Sequence, residues 1–243
     1  MPAVAGRDAP GPVVAGVLFD IDDTLIDLRQ AMRDTIAAVS ADLLDLSPAG
    51  WDAFTGLYLD DAERYYDRYV AGEFGFAEQR GLRARAALAA FGVTNFSPAR
   101  EASWVAAYEE AQPGFIRPFA DVLPVLDRLD SAGIPYGAVS NNVHDYQRAK
   151  LDRAGLSRVT ALVGIDTVGV AKPAPAVFHE GCRLLGTLPE ETLYVGDNLT
   201  LDAVGATDAG LWGVWLDRSG SAAAESWAGP RLAGLDELAG LLG

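Results

Sequence analysis

The chain is short of cations, thiols and long apolar runs, and each shortage removes a class of function. Lys and Arg number 19 against 34 Asp and Glu, a formal charge of −15. Grip on a nucleic-acid backbone draws on clustered Lys and Arg, so no nucleic-acid partner is expected. A single cysteine, Cys182, cannot close an internal disulfide; it fits a reducing cytoplasm and reads as a small buried hydrophobe. No stretch approaches the roughly 18 uninterrupted apolar residues of a membrane span. The opening MPAVAGRDAPGPVV has no basic segment ahead of an apolar run, so no membrane and no secretion is expected. Internal repeats and long low-complexity segments are absent as well.

What is present suits a metabolic α/β protein. Half of the 243 residues are hydrophobic, ample for one large domain or for a core carrying an inserted smaller one. Residues 1–12, rich in Pro, Ala and Gly, read as a flexible N-terminus. VVAGVLF at 13–19 reads as a buried strand that stops abruptly at Asp20. Over 28–112 the spacing turns helical, with lines through Met32, Ile36, Val39 and Leu43, through Trp51, Phe54, Tyr58, Ala62, Tyr65 and Tyr69, through Ala84, Leu88 and Phe91, and through Trp104, Tyr108 and Ala111. Ser47-Pro48 and Ser97-Pro98 fit an N-cap followed by the first helical position. From 121 onward helices and strands alternate: strands at 134–140, 161–165, 192–197 and 211–217, helices at 121–133, 144–155, 175–186 and 202–210. That alternation predicts a doubly wound parallel sheet covered by helices.

In GVLFDIDDTLID, residues 16–27, four carboxylates follow a buried run: Asp20, Asp22, Asp23 and Asp27. Like charges that close repel, the more so where water is excluded, and something must compensate them. The later strands end on matching polar groups: Ser140-Asn141, then Lys172 in the loop after the third strand, then Asp197. In an open parallel sheet the carboxyl ends lie along one edge, where ligands bind. The scattered residues therefore converge on one site.

Four stretches, DIDDT from Asp20 to Thr24, Ser140-Asn141, Lys172-Pro173 and GDNLTLD from Gly196 to Asp202, resemble the signature motifs of the haloacid dehalogenase superfamily, in order, over residues 13–217. The resemblance implies a Rossmann-like catalytic core from 13–27 and 113–243, with an inserted helical cap at 28–112. Segments 25–29 and 113–118 are then the hinge candidates, and substrate choice sits in the cap, where Arg80, Arg83 and the aromatics around Phe74 and Phe76 could touch substrate. Asp23 and Asn142 stand where many members carry Gly, and neither removes a catalytic group. The DxDDT form is similar to the capped small-metabolite phosphatases, including pyrimidine 5′-nucleotidases and N-acylneuraminate 9-phosphatases.

A phosphate monoester needs a positioned nucleophile, a cation against its anionic oxygens and an acid for the leaving group. Asp20 is assigned as the nucleophile that forms an aspartyl-phosphate, and Asp22 as acid to the leaving oxygen and then base toward water; the resemblance implies the same division. Carboxylates so close require a hard cation, and Mg²⁺ is the expected one. From the family's pattern its ligands are the Asp20 and Asp197 carboxylates and the Asp22 carbonyl, with Asp202 in support. Lys172 offsets the remaining charge, and Thr24, Ser140 and Asn141 hydrogen-bond the phosphoryl group. Asp23 and Asp27 read as loop-exposed or capping groups, and His144 and His179 as structural or exposed. The expected partner is a small phosphorylated metabolite such as a sugar phosphate, nucleoside monophosphate or phosphoglycolate, with the chain a monomer or homodimer. A 2-haloacid dehalogenase or phosphomutase on the same fold is the competing reading; Asp22 counts against the dehalogenase, whose halide needs no acid. A signalling receiver lacks the long insertion.

Overall fold

The first strand lies at the middle of the sheet, because its residues tolerate no water on either face. In the computed structural model, which describes residues 13–220 and 227–242, β1 (Gly16–Phe19) is fully buried, and Val17, Leu18 and Phe19 have no exposed surface. Burying each such side chain stabilises by about 1.5–3 kcal/mol. The stretch 1–12, expected to be flexible, lies outside the described residues.

Around β1 the chain builds β2 (Tyr136–Val139), β3 (Ala161–Val163), β4 (Thr192–Gly196), β5 (Trp212–Leu216) and β6 (Arg231–Leu232). Their order is β3-β2-β1-β4-β5-β6, and every pairing is parallel. The chain steps outward from β1 to β3 on one side, then returns to β4 on the other. The resulting crevice at the carboxyl ends of the strands is where such sheets bind ligands. The two-residue β6 carries no strand signal in the sequence; it exists because β5 offers it a pairing edge, Trp215 opposite Arg231 and Leu216 opposite Leu232.

By internal contacts the chain divides into two units: residues up to Asp27 together with those from Arg117 on, and Leu28–Ile116. The second division falls after 112/113 because Gln112–Gly114 turn in a 3₁₀ helix, and Gln112 donates to the Tyr108 hydroxyl at 3.0 Å.

The inserted unit holds α1 (Leu28–Ser40), α2 (Pro48–Asp60), α3 (Tyr65–Val70), α4 (Phe76–Ala90) and α5 (Pro98–Ala111). Ser47 and Ser97 cap α2 and α5, accepting from Gly50 N at 3.2 Å and Arg100 N at 3.4 Å. Ile36, Phe54, Tyr58, Leu88, Trp104 and Tyr108 form its core. The aromatic line from Trp51 to Tyr69 is not one helix. Asp61 and Arg64 take left-handed φ values of 43° and 55°, and the Asp61 carboxylate accepts from Tyr65 N and Tyr66 N at the start of α3. The line through α1 ends at Ser40, so Leu43 lies in the following turn. Arg80 and Arg83 are buried inside this unit. Arg80 lies over the Tyr108 ring at 4.5 Å and pairs with Glu109 at 3.0 Å; Arg83 lies over Tyr58 at 4.3 Å and donates to its carbonyl at 2.9 Å.

In the core unit, α6 (Val122–Ala132), α7 (His144–Arg153), α8 (Ile165–Val168), α9 (Pro175–Leu185) and α10 (Gly205–Asp208) flank the sheet. The helix expected at 202–210 begins instead as a π-helical turn, Leu199–Val204, that runs into α10. Cys182 is buried beside Phe178 and Val139 in the core.

Candidate active site

Each strand end delivers one polar group, and hydrogen bonds join them. Asp20 leaves β1 with its N–H donated to the Val195 carbonyl of β4 at 2.9 Å. Ser140 leaves β2 with its N–H donated to Val163 of β3, also at 2.9 Å. The side chains of Asp20, Thr24, Ser140, Lys172 and Asp202 are all buried.

Lys172 is the hub. Its ammonium donates to Asp20 Oδ1 at 2.6 Å, Asp202 Oδ1 at 2.6 Å and the Tyr194 hydroxyl at 3.0 Å. Burial works to strip its proton, but Asp20, Tyr194 and Asp202 outweigh that and hold its pKa well above the ordinary lysine value. Asn141 fixes its backbone from both sides, donating through Nδ2 to the Lys172 carbonyl at 3.1 Å and accepting from Lys172 N–H at 2.6 Å. Asn141 therefore aims the lysine.

The fourth strand supplies two aspartates. Asp197 donates its N–H to Thr24 Oγ1 at 3.1 Å. Asp202 sits on the π-helical turn and accepts through Oδ1 from Lys172 and Tyr194 and through Oδ2 from Asn198 N at 3.0 Å. Glycine is required at 196: a Cβ there would stand 2.4 Å from Asp202 Cγ.

Asp22 reaches the same edge with different partners. Its Oδ1 accepts from Lys150 Nζ at 2.6 Å and its Oδ2 from Gln147 Nε2 at 3.0 Å. Lys150, Gln147 and Tyr194 were not singled out in the sequence. A lysine and a glutamine in mid-helix read as solvent-facing, and a strand tyrosine reads as core. The signal that existed is compositional: the chain contains two lysines among its 19 basic residues, Lys150 and Lys172, and both are buried against aspartates.

The electrostatics call for a cation. Carboxylate oxygens of Asp20, Asp197 and Asp202 lie within 4.8 Å of one another. Burial first, then the neighbouring carboxylates Asp202, Asp197 and Asp22, raise the Asp20 pKa to about 8 against the pull of Lys172. Asp197 rises to about 7 through desolvation and then Asp202 and Asp23. With Asp22 and Asp23 beside them, the carboxylates outnumber the two ammonium groups of Lys172 and Lys150, an excess of negative charge that a cation would offset. All-oxygen donors suit a hard cation of the Mg²⁺ kind. Both oxygens of Asp202 already have hydrogen-bond donors, which leaves Asp20 and Asp197 as the carboxylates best able to hold it.

Of the remaining expectations, Asp23 lies in the tight turn after Asp22, with φ of 60° and its N–H on the Ile26 carbonyl. His144 pairs with Asp145 at 2.9 Å, and His179 bonds the Ala209 carbonyl at 2.8 Å.

The model of the haloacid dehalogenase-like hydrolases matches residues 14–210. The chain belongs to that family. A glyceraldehyde 3-phosphate phosphatase of Methanopyrus kandleri is 32% identical over 212 residues, 85% of each chain. Among solved structures, the HAD-hydrolase YfnB of Bacillus subtilis, bound to magnesium, superimposes with a TM-score of 0.74 at 21% identity, covering 94% of this hydrolase and 98% of YfnB. A dehalogenase with its intermediate complex superimposes at 0.71 and 22%, covering 95% and 98%. These structural likenesses speak for the fold, and the chemistry must come from the residues. No helix among the described residues is long and apolar enough to cross a membrane.

Proposed function

We propose that this hydrolase is a Mg²⁺-dependent phosphatase of small phosphorylated metabolites that works through an aspartyl-phosphate on Asp20. The observation that carries the reading is Asp22, a second carboxylate at the edge where Asp20 meets Lys172, held by its own lysine and glutamine. Displacement of halide needs no such acid, whereas an alkoxide leaving a phosphate ester does. The likeness to a phosphatase of glyceraldehyde 3-phosphate supports a small substrate.

In the first step an Asp20 oxygen attacks phosphorus, the bond to the ester oxygen breaks, and that oxygen takes a proton from Asp22. In the second, Asp22 removes a proton from water, the hydroxide attacks phosphorus, and the Asp20 carboxylate leaves with inorganic phosphate as product. Lys172, Thr24, Ser140 and Asn141 donate to the phosphoryl oxygens, Asn141 also aims Lys172, and Asp202 holds it. Mg²⁺, held by Asp20, Asp197 and the Asp22 carbonyl, would supply positive charge against the equatorial oxygens. The helical unit at 28–116 takes the part of the family's cap and selects the leaving group. In this reading the hydrolase works in the cytoplasm, as a monomer or homodimer.

The test is a panel of p-nitrophenyl phosphate, sugar phosphates, nucleoside monophosphates, phosphoglycolate and 2-chloropropionate, each with Mg²⁺ or EDTA. Metal-dependent phosphate release supports the reading. Halide release alone, or a phosphate moved within one substrate without release, replaces it with the dehalogenase or the mutase.

A further inference from the structure

Lys150 and Gln147 occupy one face of α7, a turn apart, and both end on Asp22. Lys150 Nζ meets Oδ1 at 2.6 Å and Gln147 Nε2 meets Oδ2 at 3.0 Å, so each oxygen of the carboxylate has its own donor. The same Gln147 nitrogen donates to Ser140 Oγ at 2.7 Å. In its ionised form, the one that pairs with Lys150 and acts as base toward water, the Asp22 carboxylate only accepts, which fixes the amide with its nitrogen inward and leaves the Ser140 hydroxyl proton free to donate elsewhere.

Two features say that these side chains are kept for this contact. Gln147 has no exposed surface, and its Oε1 has no hydrogen-bond partner among the described residues. Burial of an unpaired acceptor is unfavourable, so the amide is retained for its donors. Lys150 is equally buried, in a chain that meets nearly all of its other needs for positive charge with arginine. An ammonium is a compact point charge, whereas a guanidinium is a broad planar fork, and here the ammonium meets one carboxylate oxygen with the Tyr146 ring 5.1 Å away.

The geometry points to Lys150 and Gln147 as positioning residues that hold the Asp22 carboxylate in the direction needed for proton transfer and tie it to Ser140. The inference rests on the phosphatase reading, in which Asp22 serves the leaving oxygen. Asp22 gains from such a clamp because its side chain is 28% exposed against 9% for Asp20. A misplacement of about 1 Å at a reacting group can cost about a hundredfold in rate.

The experiment compares Lys150→Met, Gln147→Met, Asp22→Ala and the double variant Lys150→Met with Asp22→Ala, on p-nitrophenyl phosphate and on an alkyl phosphate that the wild type hydrolyses. Nitrophenolate leaves without a proton and an alkoxide does not. Each α7 variant is expected to lose about tenfold or more in kcat/KM on the alkyl ester and less than about threefold in kcat/KM on the nitrophenyl ester, because kcat/KM reports the step that expels the leaving group, whereas kcat on either ester also includes the water step in which Asp22 is the base. In the Asp22→Ala background, Lys150→Met is expected to add less than about twofold on the alkyl ester, since both changes remove one function. Melting temperatures check that each variant folds; where Lys150→Met does not, Gln147→Met decides. Equal losses of kcat/KM on the two esters, no loss on either, or full additivity with Asp22→Ala would overturn the inference. Absence of phosphate release by the wild type would instead overturn the phosphatase reading.

Discussion

Lys172 Nζ lies 2.6 Å from Asp20 Oδ1, though 152 positions of chain separate the two residues. The contact joins the loop after β3 to the end of the central strand. It makes the ammonium a fixed counter-charge for a carboxylate that burial and its neighbours otherwise drive toward the neutral form. Fold and chemistry meet in that one pair, because the parallel sheet alone brings the two strand ends together.

Replacing Asp20 by Asn removes the proposed nucleophile and one negative charge from a cluster with too many. Phosphate release is expected to fall by about a thousandfold or more. Without metal, the variant is expected to melt no lower than the wild type, because Lys172 keeps Asp202. Thermal melts in EDTA beside initial rates in Mg²⁺ check both halves.

Tyr194→Phe keeps the ring packed against Phe178, whose centroid is 4.9 Å away. It deletes the hydroxyl shared by Lys172, Asp202 and the Val139 carbonyl. A loss of about 1–2 kcal/mol in stability and of about tenfold in kcat is expected, read by urea denaturation and steady-state kinetics. An unchanged kcat would remove the tyrosine from the support of Lys172.

Metal binding should become more stabilising as pH rises. The folded, metal-free site holds Asp20 at about 8 and Asp197 at about 7, both above their unfolded value of 3.8. The folded state therefore binds more protons than the unfolded one between those limits. The stability these groups contribute is complete below about pH 4 and is lost as pH climbs through 7 and 8. Mg²⁺ requires the deprotonated carboxylates. The rise in melting temperature on adding Mg²⁺ is thus expected to grow from pH 5 to pH 8, and a rise that shrinks over that range would contradict these protonation states.

In the helical unit, Trp104 Nε1 donates to Ser40 Oγ at 2.9 Å between α5 and α1, with both residues buried. Ser40→Ala leaves that N–H without an acceptor and is expected to destabilise by about 1–3 kcal/mol, measured by chemical denaturation.

The strand ends could be found from the sequence because each is a buried apolar run cut short by one polar residue, a pattern that Asp20, Ser140 and Asp197 share. The capped helices were legible for the same local reason, Ser followed by Pro at 47–48 and 97–98. Long-range pairing was not legible. Lys150 finds Asp22 across 128 positions, and nothing beside it in the helix announces that it turns inward. The π-helical turn at 199–204 was equally hidden. There Asp202 and Asn198 bond the backbone and each other's neighbourhood in place of a regular first turn, an outcome set by the site rather than by helix propensity. The stripe from Trp51 to Tyr69 misled because the period of aromatic residues continues through Asp61, where the backbone turns left-handed.

The most direct measurement looks for the phosphoryl group on Asp20. The wild type, acid-quenched during turnover of a preferred phosphate ester with Mg²⁺, is reduced with borohydride and digested for peptide mass spectrometry. An acyl phosphate at position 20 is converted to homoserine, and the account predicts that product there, absent when substrate is omitted. Steady phosphate release with an unmodified Asp20, or with the homoserine at another carboxylate, would contradict it.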